Sequence, residues 1–373
     1  MSFSAFDHHC MALALRQAAR GLFTTHPNPR VGCVIARDGQ VIASAWHVRA
    51  GEQHAEIHAL EQAGANARGA TAYVTLEPCS HHGRTPPCSD ALIAAGIRRV
   101  VVALQDPNSQ VNGAGHRQLE RSGLQVEVGL MAAAAAELNA GFLLRMSAGR
   151  PWVRVKLATS LDGRTALRNG ISHWISNAAA RQDVQYWRAR SAAILTGIGT
   201  VLADDPAMTA RVADPPLTPL RVIADSHWRT PPASRILADP RSALIMGAAG
   251  CAIPLPLRDA GVACQPLGLA DGGIDLGDLM RHLAAREINE VQVEAGPRLC
   301  GGLLRAGLVD ELLLYQAPLL LGDGAAGPFA LGPLESMSQS THFELLESCA
   351  LGDNLRLRLR PRPATRQQAA TGH

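Results

Sequence analysis

No run of the 373-residue chain approaches ~18 uninterrupted apolar residues, so no helix is expected to cross a membrane. The first residues, "MSFSAFDHHCMALALRQAARG", lack the basic start of a secretory signal. Asp7, His8 and His9 stand there instead, and Arg16 interrupts a brief apolar stretch. A strong charge of either sign is missing too. The 35 basic and 32 acidic side chains leave +3 with no basic stripe, which argues against nucleic acid as partner and leaves room for a local anion site. Nor is cysteine concentrated. The eight residues, at 10, 33, 79, 88, 251, 264, 300 and 349, are too scattered for a disulfide framework. A reducing cytoplasm fits them better, with metal binding as the use of any close pair. What is present is globular: 47% hydrophobic and 18% charged residues, enough for a sizeable core over two or three domains.

The pattern alternates strands and helices, so an α/β layered architecture is expected. Residues 5–21 read as a helix. "VGCVIARDGQVIASAW" reads as a hairpin about Asp38-Gly39. A helix over 54–63, a strand over 71–77, a helix over 88–97 and a strand over 99–106 follow, then a helix and a strand as far as Leu130. One helix is expected to run from 132 into a Gly-Arg-Pro break at 149–151, which sets domains of 1–147 and 151–361. The second half repeats the alternation from "WVRVKLA" to "LRLRLR", and residues 362–373 read as a disordered tail. No internal repeat is evident.

"HAEIHAL" (54–60) and "PCSHHGRTPPC" (78–88) carry the chemistry. His54, Cys79 and Cys88 are three ligands of the type a catalytic zinc takes, with a fourth position left for water. Glu56 is then near without being needed as a ligand, and can take and return a proton. This is the H-x-E…P-C pattern of zinc deaminases, except that eight residues rather than two separate the cysteines. The inserted loop brings His81, His82 and Arg84 to the site. A metalloprotease helix would place Glu one residue after the first His, not two. His58, His81 or His82 as alternative ligands, a purely structural zinc and no metal at all remain open readings.

The motifs "THPNPRVGCVI", "HAEIHAL", "AYVTLEPCSHHGRTPPCSDALI", "QDPN", "KLATSLDGRTA", "SHWIS", "LTGIGTVLADDP" and "VEAGPRL" closely resemble the bifunctional riboflavin-biosynthesis deaminase–reductases, over roughly residues 5–360. The resemblance implies a cytidine-deaminase-like domain followed by a dihydrofolate-reductase-like domain. The first would remove the 2-amino group of 2,5-diamino-6-ribosylamino-4(3H)-pyrimidinone 5′-phosphate with one zinc. The second would use NADPH to reduce the ribosyl group, giving 5-amino-6-ribitylamino-uracil 5′-phosphate. A homo-oligomer is a possible assembly.

The resemblance also implies site residues. Asn28, His47, His81, Arg84, Asp106 and Asn108 would bind the deaminase substrate. The family often has Lys where Arg84 stands, which keeps the charge and changes the geometry. Ala158, Trp174, Thr200, Asp204, Ser226 and Gly296, Pro297, Arg298, Leu299, Cys300, Gly301 and Gly302 would line the NADPH site. Ser172, Arg188, Met208, Arg211 and Glu294 would face the reductase substrate, with Lys156 and Glu294 at strand ends acting on the ribose. From the residues alone, "TGIGT" and "VEAGPRL" read as strand, small-residue turn and helix, suited to phosphate. Neither is a G-x-G-x-x-G unit with a later acidic residue, so a Rossmann reading is rejected. The rivals are a nucleic-acid base deaminase and a metal-dependent binding module with both sites dead.

Overall fold

The computed structural model describes residues 3–80, 86–108, 111–172, 175–212 and 217–362. The expected tail, from 363 on, lies outside them. The chain divides into two compact units, Met1–Arg150 with Glu287–Asn289, and Pro151–Arg286 with the remainder from Glu290.

In the first unit, helix α1 (Ala5–Ala19) begins with a reciprocal cap. Ser4 Oγ accepts from the Asp7 N–H at 3.1 Å, and Asp7 accepts from the Ser4 N–H at 2.8 Å. Strands β1 (Gly32–Arg37) and β2 (Gln40–Trp46) form the expected hairpin, with Asp38 at φ +53° and Gly39 at φ +76°. Both central residues are left-handed, as a type I′ turn requires. Strands β3 (Thr71–Val74), β4 (Arg99–Val102) and β5 (Gln125–Val128) complete a sheet in the order β2-β1-β3-β4-β5. It is antiparallel at β2-β1 and β1-β3 and parallel beyond.

Side-chain alternation sorts the core into two layers. Cys33, Ile35, Val74, Val100 and Val102 pack with α2 (Ala55–Ala63), α3 (Cys88–Ala94) and α4 (Ala114–Arg121). Val34, Ala36, Tyr73 and Val101 pack with α1 and with α5 (Ala132–Leu138). The single helix expected from residue 132 is in fact two, α5 and α6 (Ala140–Ala148), parted at Asn139. The Asn139 amide accepts from the Arg30 N–H at 2.8 Å and donates to the Arg30 carbonyl at 2.9 Å. A side chain that imitates backbone pairing competes with helix continuation.

The second unit holds nine strands in the order β10-β9-β8-β7-β13-β6-β14-β16-β15. They are β6 (Trp152–Thr159), β7 (Ala193–Gly197), β8 (Leu220–Ala224), β9 (Ala243–Ala248), β10 (Ala263–Leu267), β13 (Glu290–Val293), β14 (Glu311–Gln316), β15 (Phe343–Leu351) and β16 (Asn354–Pro361). A two-residue ladder pairs β11 (Leu269–Ala270) with β12 (Gly273–Ile274). The large sheet is parallel from β10 to β14, and β16 and β15 add antiparallel. Helices α7 (Ala178–Arg190), α8 (Ile198–Asp204), α9 (Leu255–Asp259), α10 (Leu276–Ala285) and α11 (Pro297–Arg305) connect the strands.

Beneath α7 the sheet carries charge beside an apolar cluster of Val184, Trp187, Leu313 and Tyr315. Arg154 on β6 is 2% exposed and meets Glu290 at 3.1 Å and Glu311 at 3.3 Å. Arg358 on β16 reaches the other Glu311 oxygen at 2.8 Å, and Arg190 on α7 reaches Glu290 at 3.2 Å. Such a layer contributes little net stability against an apolar one, but losing one member leaves a buried charge unpaired.

Candidate active sites

His54 is the residue before the first turn of α2, Glu56 lies in that turn, and Cys88 is the first residue of α3. His54 Nδ1 lies 3.3 Å from Cys88 Sγ and 3.7 Å from Cys79 Sγ, and the three ligand atoms all fall within 4.8 Å of one another. Donor atoms around a tetrahedral zinc, with bonds of roughly 2.0–2.3 Å, sit about 3.5–3.8 Å apart. The donor set therefore fits the metal without rearrangement. His58 stands outside it, with Nδ1 at 3.9 Å from Glu61. His81 and Arg84 lie outside the described residues.

The electrostatics fit a dication. The Cys88 N–H donates to Cys79 Sγ at 3.3 Å. Hydrogen bonds from Cys88 and His54 hold the Cys79 thiol down at about 4, while the bond to Cys79 and burial push Cys88 far up. One thiolate and one thiol beside an imidazole become two thiolates when a metal displaces the shared proton. Glu56 is 3% exposed and its Oε2 has no hydrogen-bond partner among the described residues. Burial raises its carboxyl to about 7 against the opposing pull of His54. A carboxyl with an idle oxygen and a proton affinity near neutrality is suited to take a proton and give it back. Replacing Cys79 or Cys88 by Ser is expected to lose zinc and deamination together, while Cys10→Ser keeps full zinc. Elemental analysis of the purified variants checks this, and full zinc in both ligand variants would refute the donor set.

His47 donates or accepts at both ring nitrogens, Nδ1 to the Gln53 carbonyl at 3.0 Å and Nε2 to Asn28 Nδ2 at 3.0 Å. A carbonyl only accepts, so Nδ1 carries the proton and Nε2 receives the Asn28 amide. His47 thereby fixes the rotation of the Asn28 amide. Its ring also packs edge-on against His54, with centroids 5.4 Å apart. Asp106 closes a turn through the Asn108 N–H at 2.8 Å.

Sequence reasoning missed Glu77. This buried carboxylate accepts from the N–H groups of Asp106 at 3.2 Å, Gly113 at 3.0 Å, Gly115 at 2.9 Å and His116 at 3.4 Å. It ties the 106–116 loop to the segment that delivers Cys79. A Cβ on Gly115 would stand 2.1 Å from the Pro78 carbonyl, so only glycine permits the approach. No local pattern flags this knot, because its partners are backbone groups some 30 to 40 residues on.

In the second unit, β13 and β6 are parallel and in register from Glu290–Trp152 to Val293–Val155, so Glu294 follows beside Lys156. Arg188 grips Glu294 with two parallel bonds, Nε to Oε1 at 2.6 Å and Nη2 to Oε2 at 2.8 Å. Although burial opposes it, the Arg188 charge holds the Glu294 carboxyl down at about 2. Lys156 is lowered as well, its amine pushed down by burial with Glu294 as the opposing anion. Arg188 also donates to the Thr209 carbonyl at 3.0 Å and touches Met208 Sδ at 3.7 Å. It is committed to organising Glu294. Met208 belongs to the apolar cluster with Ile194 and Ile223, its sulfur steadying Arg188. Arg211 is an exposed cation whose backbone N–H donates to Gln185 at 2.9 Å and whose guanidinium meets Thr209 at 3.4 Å.

The two phosphate-suited turns differ from expectation in detail. Gly197 caps α8 directly after β7 with no intervening loop, bringing Thr200 into the first turn and leaving Asp204 exposed at the end. Gly296 caps α11 and Pro297 opens it, leaving N–H groups free at the start. Further along, Cys300 is buried and donates to the Ala295 carbonyl at 3.3 Å, and a Cβ on Gly301 would meet Ala330 backbone at 2.6 Å. Those two serve packing, and the ligand-facing part of 296–302 is its start. Ala158 packs against the Trp187–Tyr315 cluster, Ser172 is half-buried, and Trp174 lies outside the described residues. Ser226 Oγ accepts from the Ile274 N–H at 3.2 Å and keeps its own proton to donate. No described helix is long and apolar enough to cross a membrane.

Residues 4–104 match the cytidine and deoxycytidylate deaminase zinc-binding region, and residues 151–357 match the RibD C-terminal domain. Fold and sites together define a zinc deaminase joined to a reductase that takes a nicotinamide cofactor. The riboflavin biosynthesis protein RibD of Escherichia coli is 48% identical over 365 residues, 95% of this chain and 99% of the relative. That of Haemophilus influenzae is 42% identical over 374 residues, 97% and 99% of the two chains. Among solved structures, Acinetobacter baumannii RibD superposes with a TM-score of 0.88 at 45% identity, covering 96% of this chain and 99% of its own. A Thermotoga maritima deaminase/reductase superposes at 0.85 with 31% identity and the same coverage. The chain belongs to the RibD family, the bifunctional deaminase–reductases of riboflavin biosynthesis.

Proposed function

We propose that the first unit hydrolyses the 2-amino group from 2,5-diamino-6-ribosylamino-4(3H)-pyrimidinone 5′-phosphate, and that the second reduces the ribosyl group with NADPH to give 5-amino-6-ribitylamino-uracil 5′-phosphate. The observation that carries the first step is the unpartnered Glu56 oxygen beside His54, Cys79 and Cys88. Those three residues hold one zinc, which when bound polarises its surroundings and acidifies water. Glu56 Oε2 takes a proton from the attacking water and returns it to the departing nitrogen, so that ammonia leaves and a carbonyl remains. Asn28, its amide anchored by His47, offers its oxygen to a ring N–H of the pyrimidine. The loop bearing His81 and Arg84, with Asp106 and Asn108, takes the ribose phosphate.

For the second step, NADPH would supply the hydride, and residues at the starts of α8 and α11 would hold it. Lys156 Nζ acts on the sugar oxygen as the ribose opens, and Glu294 keeps that amine oriented and charged. Arg211, with Ser172, takes the substrate phosphate. Thiol ligands that must stay reduced suit a cytoplasmic setting. Ammonia release from the pyrimidine phosphate, followed by oxidation of NADPH, tests the whole reading, with tRNA as a control that should release none.

NADPH is expected over NADH by about tenfold or more in kcat/KM, the scale of one charge-assisted hydrogen bond to a phosphate. Ser226 keeps a donor at the end of β8, and Arg229, 55% exposed and 4.0 Å from Asp225, adds charge for the 2′-phosphate. Equal kcat/KM for the two cofactors would remove the argument for this subsite.

A further inference from the structure

We propose that Gln292, assigned no role above, is a positioning residue of the reductase: its buried amide fixes the Glu294 carboxylate and separates it from the ion-pair layer beneath α7. The proposal rests on the reductase reading just given. Residues 290, 292 and 294 alternate along one face of the chain at β13, which puts an uncharged amide between two carboxylates. Gln292 is fully buried, and its Nε2 donates to Glu294 Oε1 at 2.7 Å. An ionised carboxylate only accepts, so the amide nitrogen must face Glu294. That bond meets the same oxygen as Arg188 Nε, from a different direction. Three donated bonds then fix the plane and rotation of the carboxylate next to Lys156.

The other amide atom sharpens the point. Gln292 Oε1 is buried and has no hydrogen-bond partner among the described residues. An apolar side chain would avoid the cost of burying an acceptor without a partner. The amide therefore makes sense through its donor. The surroundings explain why it is not a charge. Gln292 is paired in register with Arg154 on β6 and Ile194 on β7. Glu290 is already paired with Arg154 and Arg190, and Glu294 is held by Arg188 and faced by Lys156. On β14, Tyr315 is occupied by Asp183 at 2.6 Å. A carboxylate at 292 would be a third anion in one buried row with an idle oxygen.

The test uses the full-length, zinc-loaded enzyme supplied with deaminated intermediate and saturating NADPH, with kcat and KM measured from pH 5.5 to 9. Gln292→Met is expected to lower kcat about tenfold at every pH, the scale of one hydrogen bond to a charged group, with KM changed less than about twofold. Gln292→Glu is the more telling variant. Buried between two carboxylates, the new carboxyl takes a raised pKa. Below that pKa it is neutral, matches glutamine in shape and donates its O–H to Glu294. Above it, the group is charged and repels Glu294. Its kcat relative to wild type should therefore recover as pH falls and be lost as pH rises, a signature that a merely space-filling role would not give. Thermal unfolding like that of the wild type, with an unchanged KM for NADPH, certifies the fold of the second unit in each variant. Folded variants with wild-type kcat at all pH values would overturn the proposal. If the wild type itself oxidises no NADPH, it is the reductase reading that fails.

Discussion

Glu56→Gln should keep its zinc and lose deamination by a factor on the order of 10² or more, the scale for removing a general acid–base group. Glutamine preserves the volume and one carbonyl oxygen in a site that is 3% exposed, so packing around α2 is kept. What goes is the ability of Oε2, unpartnered among the described residues, to carry a proton. The three ligand atoms come from His54, Cys79 and Cys88, so metal content should match wild type. Removal of the buried carboxyl should not destabilise the fold, because its charged form is disfavoured there. Ammonia release and elemental analysis on the same preparation check both halves. Zinc loss would make Glu56 a ligand.

Lys156→Met should lower the reductase rate by a factor on the order of 10² to 10⁴, the range for removing a group that moves a proton in the transition state. The amine is desolvated on β6, opposite the strand end that bears Glu294, and its pKa is lowered by that burial. A lowered lysine pKa means the unfolded chain binds more protons than the folded one between the two values. Stability due to this group therefore rises as pH rises through that window and is diminished below it. Methionine fills similar volume without the penalty, so the variant should be at least as stable as wild type near neutral pH. NADPH oxidation with deaminated intermediate, beside thermal unfolding, reads both. A slow and also unstable variant would mean that Lys156 serves packing.

Much of this was legible in the sequence because the signals are local. Asp38-Gly39 between alternating apolar runs announces its hairpin. His54, Glu56, Cys79 and Cys88 announce a metal site through spacing and ligand type. Among the elements not read from the sequence, α9, with prolines at 254 and 256, and β10, with Pro266, sit in a segment of short runs, whereas α10 and β15 were simply not named. The break at Asn139 was hidden because its cause is Arg30, more than a hundred residues away. Glu77 and Gln292 were hidden for the same reason. Each acts through partners that only the fold brings near: four backbone N–H groups for one, and a carboxylate clamped by Arg188 for the other. Arg188 is hidden in the same way: the sequence does not show that its guanidinium lies on Glu294.

The central claim is that two separate sites perform two reactions. The most direct measurement supplies already deaminated intermediate to the Glu56→Gln enzyme and follows NADPH oxidation. Glu56 belongs to the unit containing Met1–Arg150, whereas Lys156, Arg188 and Glu294 belong to the other. Reduction should proceed at the wild-type rate. If reduction is abolished while the variant stays folded and zinc-loaded, the two-site account is wrong, and both units build one shared active site.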